Sequence, residues 1–397
     1  MVQALLVGSE SFDVNQLRDA LRARSLDWDI REVSSGEEAL DMMEMRDYDV
    51  VACEAGLPGI GGAELLSIVR FQTPSMTRVL LAEMGDAEAL ARGAVEAHRT
   101  VLAPIETESL IDVLHRTHGL AQILGDPCLQ DMLSGIGNLP RPSAIVLALN
   151  ELMDSPNASA MLVARTIEQD PIISAKLLSV VNSAFYGLAH QITRVTEAVA
   201  YLGMDVVRNL CVATELMNVL QTPSPVTQRI VDSLSEHSHA VACVARELLP
   251  DRRSASNAYV AALLADIGLF VHALHQPDKL LELQVQIMRS NLSVTEVEME
   301  IFGMHHAHLG AALLRMWGLP EPIVEAVARH HDANLLGGST MDLTHSVFIA
   351  EHVVSQRHQT IDEIGWSHDY ELEADYLDRF DQVDELLSRL GMLVDPA

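Results

Sequence analysis

Apolar residues in this chain keep one rhythm up to about residue 118 and another from Leu139 onward. Ahead of the change, five short runs (Ala4–Val7, Ile30–Val33, Tyr48–Cys53, Arg78–Leu81 and Thr100–Leu102) alternate with stretches long enough for helices. Those stretches are Asp13–Arg24, Gly36–Arg46, Gly61–Phe71, Asp86–Ala97 and Glu106–His118. Strands that alternate with helices predict a parallel sheet covered on both faces. In such a sheet the functional crevice lies beyond the carboxyl ends of the strands, so the residues just after each apolar run matter most. From Leu139 the β signal fades, and helical segments follow, punctuated by Pro140, Pro142, Pro156, Pro171, Gly187 and Gly203. The expected organisation is an α/β domain over 1–118, a partly helical linker over 119–138 and an all-α domain over 139–335. A helical extension over 336–397 completes it.

Local signals sharpen the second half. Asp170-Pro171 has the form of an N-cap followed by proline at the first helical position. Leu177, Leu178 and Val181 then supply an apolar stripe, with Gly187 as the expected stop. Leu129, Met132 and Leu133 give the linker its helical part. In the tail, residues 359–397 carry eleven acids against Arg379 and Arg389, yet Tyr376, Phe380, Val383, Leu387 and Leu390 form one narrow stripe. That stripe predicts a terminal helix packed on its own domain, with a dimer or partner helix as the alternative.

Charge and composition exclude several classes. The net charge of −30 repels phosphate backbones, only Lys176 and Lys279 are lysines, and the arginines are scattered, so no nucleic-acid partner is expected. Cys53, Cys128, Cys211 and Cys243 form no C-x-x-C pair, which fits a reducing cytoplasm better than a disulfide framework. The first residues lack a basic region ahead of their apolar run and predict a strand rather than a signal peptide. Ala258 to His275 is the best membrane-span candidate, but Asp266 and Gly268 interrupt it, so a buried helix and a soluble chain are expected. No Walker loop, Rossmann glycine pattern, nucleophile elbow or H-E-x-x-H helix occurs.

The stretch from Tyr48 to Gly62 (YDVVACEAGLPGIGG), with Arg78–Asp86 and Val101–Pro104, resembles the receiver domain of two-component response regulators over about the first 118 residues. The resemblance implies a (βα)5 fold. It also implies chemistry built on an aspartate nucleophile, two acids for Mg²⁺, a hydroxyl and a lysine. Glu54 stands at the nucleophile position, Gly8 and Ser9 replace the acidic pair, Ala82 the hydroxyl residue and Ala103 the lysine. Glu10 alone does not rebuild a divalent site, so no phosphorylation is expected. Glu54 is read either as an imitation of phosphoaspartate or as a solvated acid on a decayed loop. The second is favoured because the lysine that would sense the mimic is missing.

Ile167–Pro171 (IEQDP) and Lys176–Gly187 (KLLSVVNSAFYG) carry a second resemblance, to the HDOD domain, a helical output module of bacterial signalling proteins. It continues through Ala262–Gly268, Phe302–His306, Trp317–Pro320 and His330-His331. HDOD modules are related to HD-type metal phosphohydrolases, whose ligands are a His, a His-Asp doublet, further His residues and a last Asp. By motif position His237 matches the first His, while the doublet reads Ala265-Asp266 and has lost its histidine. His306, His330 and His331 are candidates for later ligands, and Glu351 falls where the last Asp would be. His305 and His308 thicken the imidazole group. The expectation is that these histidines are structural and that neither metal nor cofactor is bound, with a functional metal as the alternative. Asn182 and Ser183, just before Phe185-Tyr186-Gly187, are expected to satisfy loose backbone groups at a helix end. The alternative is that Asn182, Ser183 and Tyr186 line a groove for a partner or nucleotide.

Together these readings predict a cytoplasmic, non-enzymatic signalling protein that binds other signalling proteins, with homodimerisation plausible and no membrane role. The alternatives are a metal-dependent HD-type phosphodiesterase of cyclic dinucleotides or nucleotides, and a nucleotide-binding effector that does not hydrolyse.

Overall fold

The computed structural model describes residues 1–8, 13–83, 96–102, 106–135, 141–153, 155, 158–182, 191–220, 225–289, 292–332 and 341–358. The chain divides into two compact units, Met1–Asp126 and Pro127–Ala397.

In the first unit β1 (Val2–Val7), α1 (Val14–Ala23), β2 (Trp28–Val33), α2 (Gly36–Met45), β3 (Val50–Glu54), α3 (Gly62–Gln72), β4 (Thr77–Ala82), β5 (Arg99–Leu102) and α4 (Thr107–Gly125) follow in order. The five strands are parallel, in the order β2-β1-β3-β4-β5. The apolar runs are continuous because both faces are buried. On one face Leu5, Val7, Val51, Cys53 and Leu80 meet Ala39, Leu65, Leu66 and Val69 from α2 and α3. On the other, Ala4, Leu6, Val50, Ala52, Val79 and Leu81 meet Leu17 and Leu21 of α1 and Leu110, Ile111 and Leu114 of α4. The two-residue alternation of side chains along each strand produces this division. All five strands expected from sequence are present. The helix expected over Asp86–Ala97 lies almost wholly outside the described residues.

One boundary differs. The last helix of this unit does not stop at His118 but runs to Gly125, and Leu120 and Leu124 are buried on it. No breaker occurs before Gly125, so the apolar face simply continues. The expected linker is therefore divided: its first part completes α4, and α5 (Pro127–Gly135) belongs to the second unit, where Leu129 is buried and the helix packs on residues 306–316.

The second unit is helical: α6 (Ala144–Met153), α7 (Ala160–Ile167), α8 (Pro171–Val181), α9 (Val195–Leu202), α10 (Met204–Val219), α11 (Pro225–Glu247), α12 (Arg252–Leu263) and α13 (Ile267–His275), then α14 (Pro277–Arg289), α15 (Val294–Ile301), α16 (His306–Met316), α17 (Glu321–Arg329) and α18 (Leu343–His358). The apolar segment from Arg252 to His275 is long enough to cross a membrane, yet 83% of its most apolar window is buried inside this unit. It is a core element, broken at Leu264–Asp266 between α12 and α13. Within the helical extension expected after residue 335, α18 packs on α11, α12 and α17 and buries Val347, Phe348, Ile349 and Ala350. The acidic tail helix expected after it lies outside the described residues.

Candidate functional site

In the first unit Glu54 closes β3, and its half-buried carboxyl group packs over Gly8 at the end of β1. Gly8 has φ +109, and a Cβ there would stand 2.5 Å from the Glu54 carboxyl carbon. A side chain at position 8 would therefore have to displace the Glu54 carboxylate. Ala82 is buried at the end of β4 and offers a methyl group where a hydroxyl would be needed. Ser9, Glu10 and Ala103 lie outside the described residues.

In the second unit Asp170 caps α8, its carboxylate accepting from the backbone N–H of Ile172 (2.8 Å) and Ile173 (3.1 Å), with Pro171 at the first helical position. The buried stripe is Ile173, Leu177 and Val181, and the helix stops at Val181 rather than near Gly187. Leu178 of the expected stripe is only half-buried. Asn182 ends it: its Nδ2 donates to the carbonyls of Leu178 (2.9 Å) and Ile192 (2.6 Å), and its Oδ1 accepts from the Ile192 N–H (2.7 Å). This is the backbone-satisfying role expected for it. Ser183, Tyr186 and Gly187 lie outside the described residues.

The six histidine and carboxylate candidates converge from five helices or helix ends. His237 lies on α11, Asp266 caps α13, His306 opens α16, His330 and His331 follow α17, and Glu351 lies on α18. They form two groups that share Asp266, each with its ligand atoms within 4.8 Å of one another: Asp266 with His306, His330 and His331, and Asp266 with His237 and Glu351. All are buried except His331, which is half-buried. The close approach of α13 to α16 that joins Asp266 to His306 requires Gly268, since a Cβ there would overlap the His306 carbonyl group.

His306 Nε2 is 3.2 Å from Asp266 Oδ1, 3.2 Å from His330 Nε2 and 3.1 Å from His331 Nε2. On its far side His306 Nδ1 donates to the fully buried Glu298 carboxylate at 2.8 Å, while its backbone N–H donates to the same group at 3.1 Å. His330 Nδ1 donates to the Val327 carbonyl at 2.7 Å. His237 Nε2 meets Glu351 Oε1 at 2.7 Å and Asp266 Oδ2 at 3.9 Å, and Ser355 Oγ donates to Glu351. Burial alone would strip His306 of its charge, but the Glu298 and Asp266 carboxylates outweigh it and hold the imidazole up at about 10. Burial and Glu351 push Asp266 upward, yet the His306 and His330 imidazoles facing it hold it far below the usual carboxylate range.

Glu298 escaped sequence reasoning, although a trace of it was there. Val294, Val297 and Glu298 share the buried face of α15, and an acid on such a face needs a partner inside. His305 and His308 lie beside each other, with ring centroids 5.1 Å apart, and belong to neither group. The donor set fits a divalent ion: imidazole Nε2 atoms and a carboxylate converge while the Nδ1 atoms of His306 and His330 are anchored behind, as in metal sites generally.

Family models match the response regulator receiver domain over residues 5–115 and the HDOD domain over residues 139–333. An uncharacterized protein of Treponema pallidum is 24% identical over 254 residues, 64% of this chain and 48% of that protein. The hydrogenase transcriptional regulatory protein HoxA of Cupriavidus necator is 31% identical over 118 residues, 29% of this chain and 24% of HoxA. The chain thus spans about half the length of the first relative and about a quarter of the second. The crystal structure of an HDOD domain protein from Geobacter sulfurreducens has a TM-score of 0.51 at 22% identity, covering 66% of this chain and 92% of that one, and shares its fold. The fold and the matches define a two-domain signal-transduction regulator. The chain carries a response regulator receiver domain ahead of an HDOD domain.

Proposed function

We propose that this regulator is non-enzymatic: its receiver domain works without phosphoryl transfer, and its HDOD domain acts in the cytoplasm by binding other signalling proteins, self-association included. The observation that carries this reading is the loss of an imidazole from the buried centre, whose remaining groups pair with one another. His237 is committed to Glu351 at 2.7 Å, Asp266 to His306 at 3.2 Å, and Ala265 leaves a methyl group where the doublet's imidazole would be. In the receiver, Glu54 fills the space above Gly8 and Ala82 supplies no hydroxyl. A divalent ion at the histidine centre would supply Lewis acidity and an activated water only through a coordination position left open.

The full-length chain is incubated with acetyl phosphate and Mg²⁺, and separately with a cyclic dinucleotide and Mn²⁺. The expected results are an unchanged intact mass and no hydrolysis above that of a His306→Ala variant. Turnover that His306→Ala abolishes would favour the HD-type phosphodiesterase, for which the convergence of histidines and carboxylates speaks. Saturable calorimetric binding of the dinucleotide without turnover would instead identify a nucleotide-binding effector.

A further inference from the structure

We propose that Asp266, His306, His330 and His331 hold one zinc-class divalent ion in a closed, four-ligand structural site, and that the adjoining His237–Glu351 pair holds no second ion. The argument starts with protons. A carbonyl oxygen only accepts, so His330 Nδ1 carries the proton it shares with Val327 at 2.7 Å. Both Glu298 oxygens lie 2.8 Å from His306 Nδ1, which therefore carries a proton as well. With those two protons alone in place, each Nε2 bears a lone pair, and these two nitrogens face each other at 3.2 Å. His331 Nε2 stands 3.1 Å from the same His306 nitrogen, and Asp266 Oδ1 lies 3.2 Å from His306 and 3.7 Å from His330.

Electron-rich atoms gathered this tightly in a buried place require positive charge among them. One extra proton on His306 Nε2 points along a single N–H bond and serves one of its three neighbours. A cation at the centre serves all four groups at once. The spacing has the right scale: zinc–nitrogen bonds of about 2.0–2.1 Å in a tetrahedron put ligand atoms about 3.3–3.4 Å apart. Four of the six separations here run from 3.1 Å to 3.7 Å, and all six lie within 4.8 Å.

The second group is different. It has only His237 and Glu351 besides the shared Asp266, and those two meet at 2.7 Å, the length of a direct hydrogen bond rather than the wider gap across an ion. Ala265 removes the imidazole that could have joined them. Three imidazoles and a carboxylate fill a tetrahedral shell and leave no open position, which marks structural rather than catalytic sites. This assignment replaces the sequence expectation of metal-free structural histidines, and it stands independently of the partner-binding reading.

The test uses the untagged full-length chain, stripped with chelator and then titrated with Zn²⁺ alone or Co²⁺ alone. Expected are about one equivalent of tightly held Zn²⁺ per chain and the intense visible absorption of four-coordinate Co²⁺. The melting temperature should rise by about 5 °C or more with Zn²⁺. His331→Ala, at the half-buried ligand, should lower Zn²⁺ affinity at least about 100-fold. His237→Ala and His305→Ala should each keep the equivalent. Zn²⁺ uptake below about a tenth of an equivalent, or a Co²⁺ spectrum that stays octahedral, would leave a proton at the centre and overturn the proposal. About two equivalents, or binding indifferent to His331→Ala, would overturn it as well. Should His331→Ala fail to fold, the wild-type Co²⁺ spectrum and stoichiometry still decide.

Discussion

A methyl group that is not there sets the distance between Asp266 and His306. A Cβ on Gly268 would lie 2.8 Å from the His306 carbonyl carbon and closer still to its oxygen, so Gly268→Ala must push α13 and α16 apart. We expect a loss of about 1–3 kcal/mol in urea unfolding, with weakened Zn²⁺ binding. Gly56→Ala, where a Cβ meets nothing within 4 Å, should stay within about 0.5 kcal/mol of wild type. Equal effects at the two positions would show that the contact is not what matters. His272 gives a second test at this scale. It is buried, stacked on Phe302 with centroids 3.8 Å apart, and burial pushes its pKa down to about 4. An unfolded histidine titrates near 6.5, so below that pH the unfolded chain takes up a proton that the folded chain refuses, and stability falls as pH drops toward 4. His272→Phe should flatten that decline by about 3 kcal/mol between pH 6.5 and 4. Parallel stability curves for variant and wild type would refute this account.

Among the elements, Asn182 shows how one side chain can end a helix and hold the chain that returns to it. Its side chain makes two hydrogen bonds to Ile192 and a third back to the Leu178 carbonyl of α8. Asn182→Ala should therefore cost about 1–3 kcal/mol in thermal unfolding, because buried backbone groups lose their partners. Asn182→Asp should be no better, since it turns the donor facing two carbonyls into an acceptor; recovery to wild-type stability with Asp would count against the argument. The elements most legible in the sequence are those whose signal is local. The strands show as continuous apolar runs because both sheet faces are covered, and α8 shows through Asp170-Pro171. Helix ends without a breaker were not legible: α4 passes His118 because its apolar face continues to Leu124. The membership of α18 in the helical unit was hidden for another reason. It rests on packing against α11 and α12, about a hundred residues away in sequence, which no local pattern records. Motif position found the six convergent groups of the centre, whereas Glu298, which matches no motif, was found only by packing.

At the scale of the whole molecule, each unit carries its own core. The two faces of the sheet are filled by residues drawn from the first 114 positions, and the histidine–carboxylate centre draws only on residues from 237 onward. Nothing in either set is borrowed from the other, so a ligand of the centre should stabilise one unit and not its neighbour. A ligand that binds only the folded form raises the stability of the cooperative unit containing it, by about 4 kcal/mol at a thousandfold excess over its Kd. For the full-length chain we therefore expect two calorimetric transitions, of which Zn²⁺ moves one upward and leaves the other in place. Leu114→Ala, which opens a cavity under α4, should lower the transition that Zn²⁺ ignores and leave the Zn²⁺-sensitive one unchanged. A single transition that shifts as a whole with Zn²⁺ and with Leu114→Ala would mean that the units unfold as one body, whatever the independence of their cores.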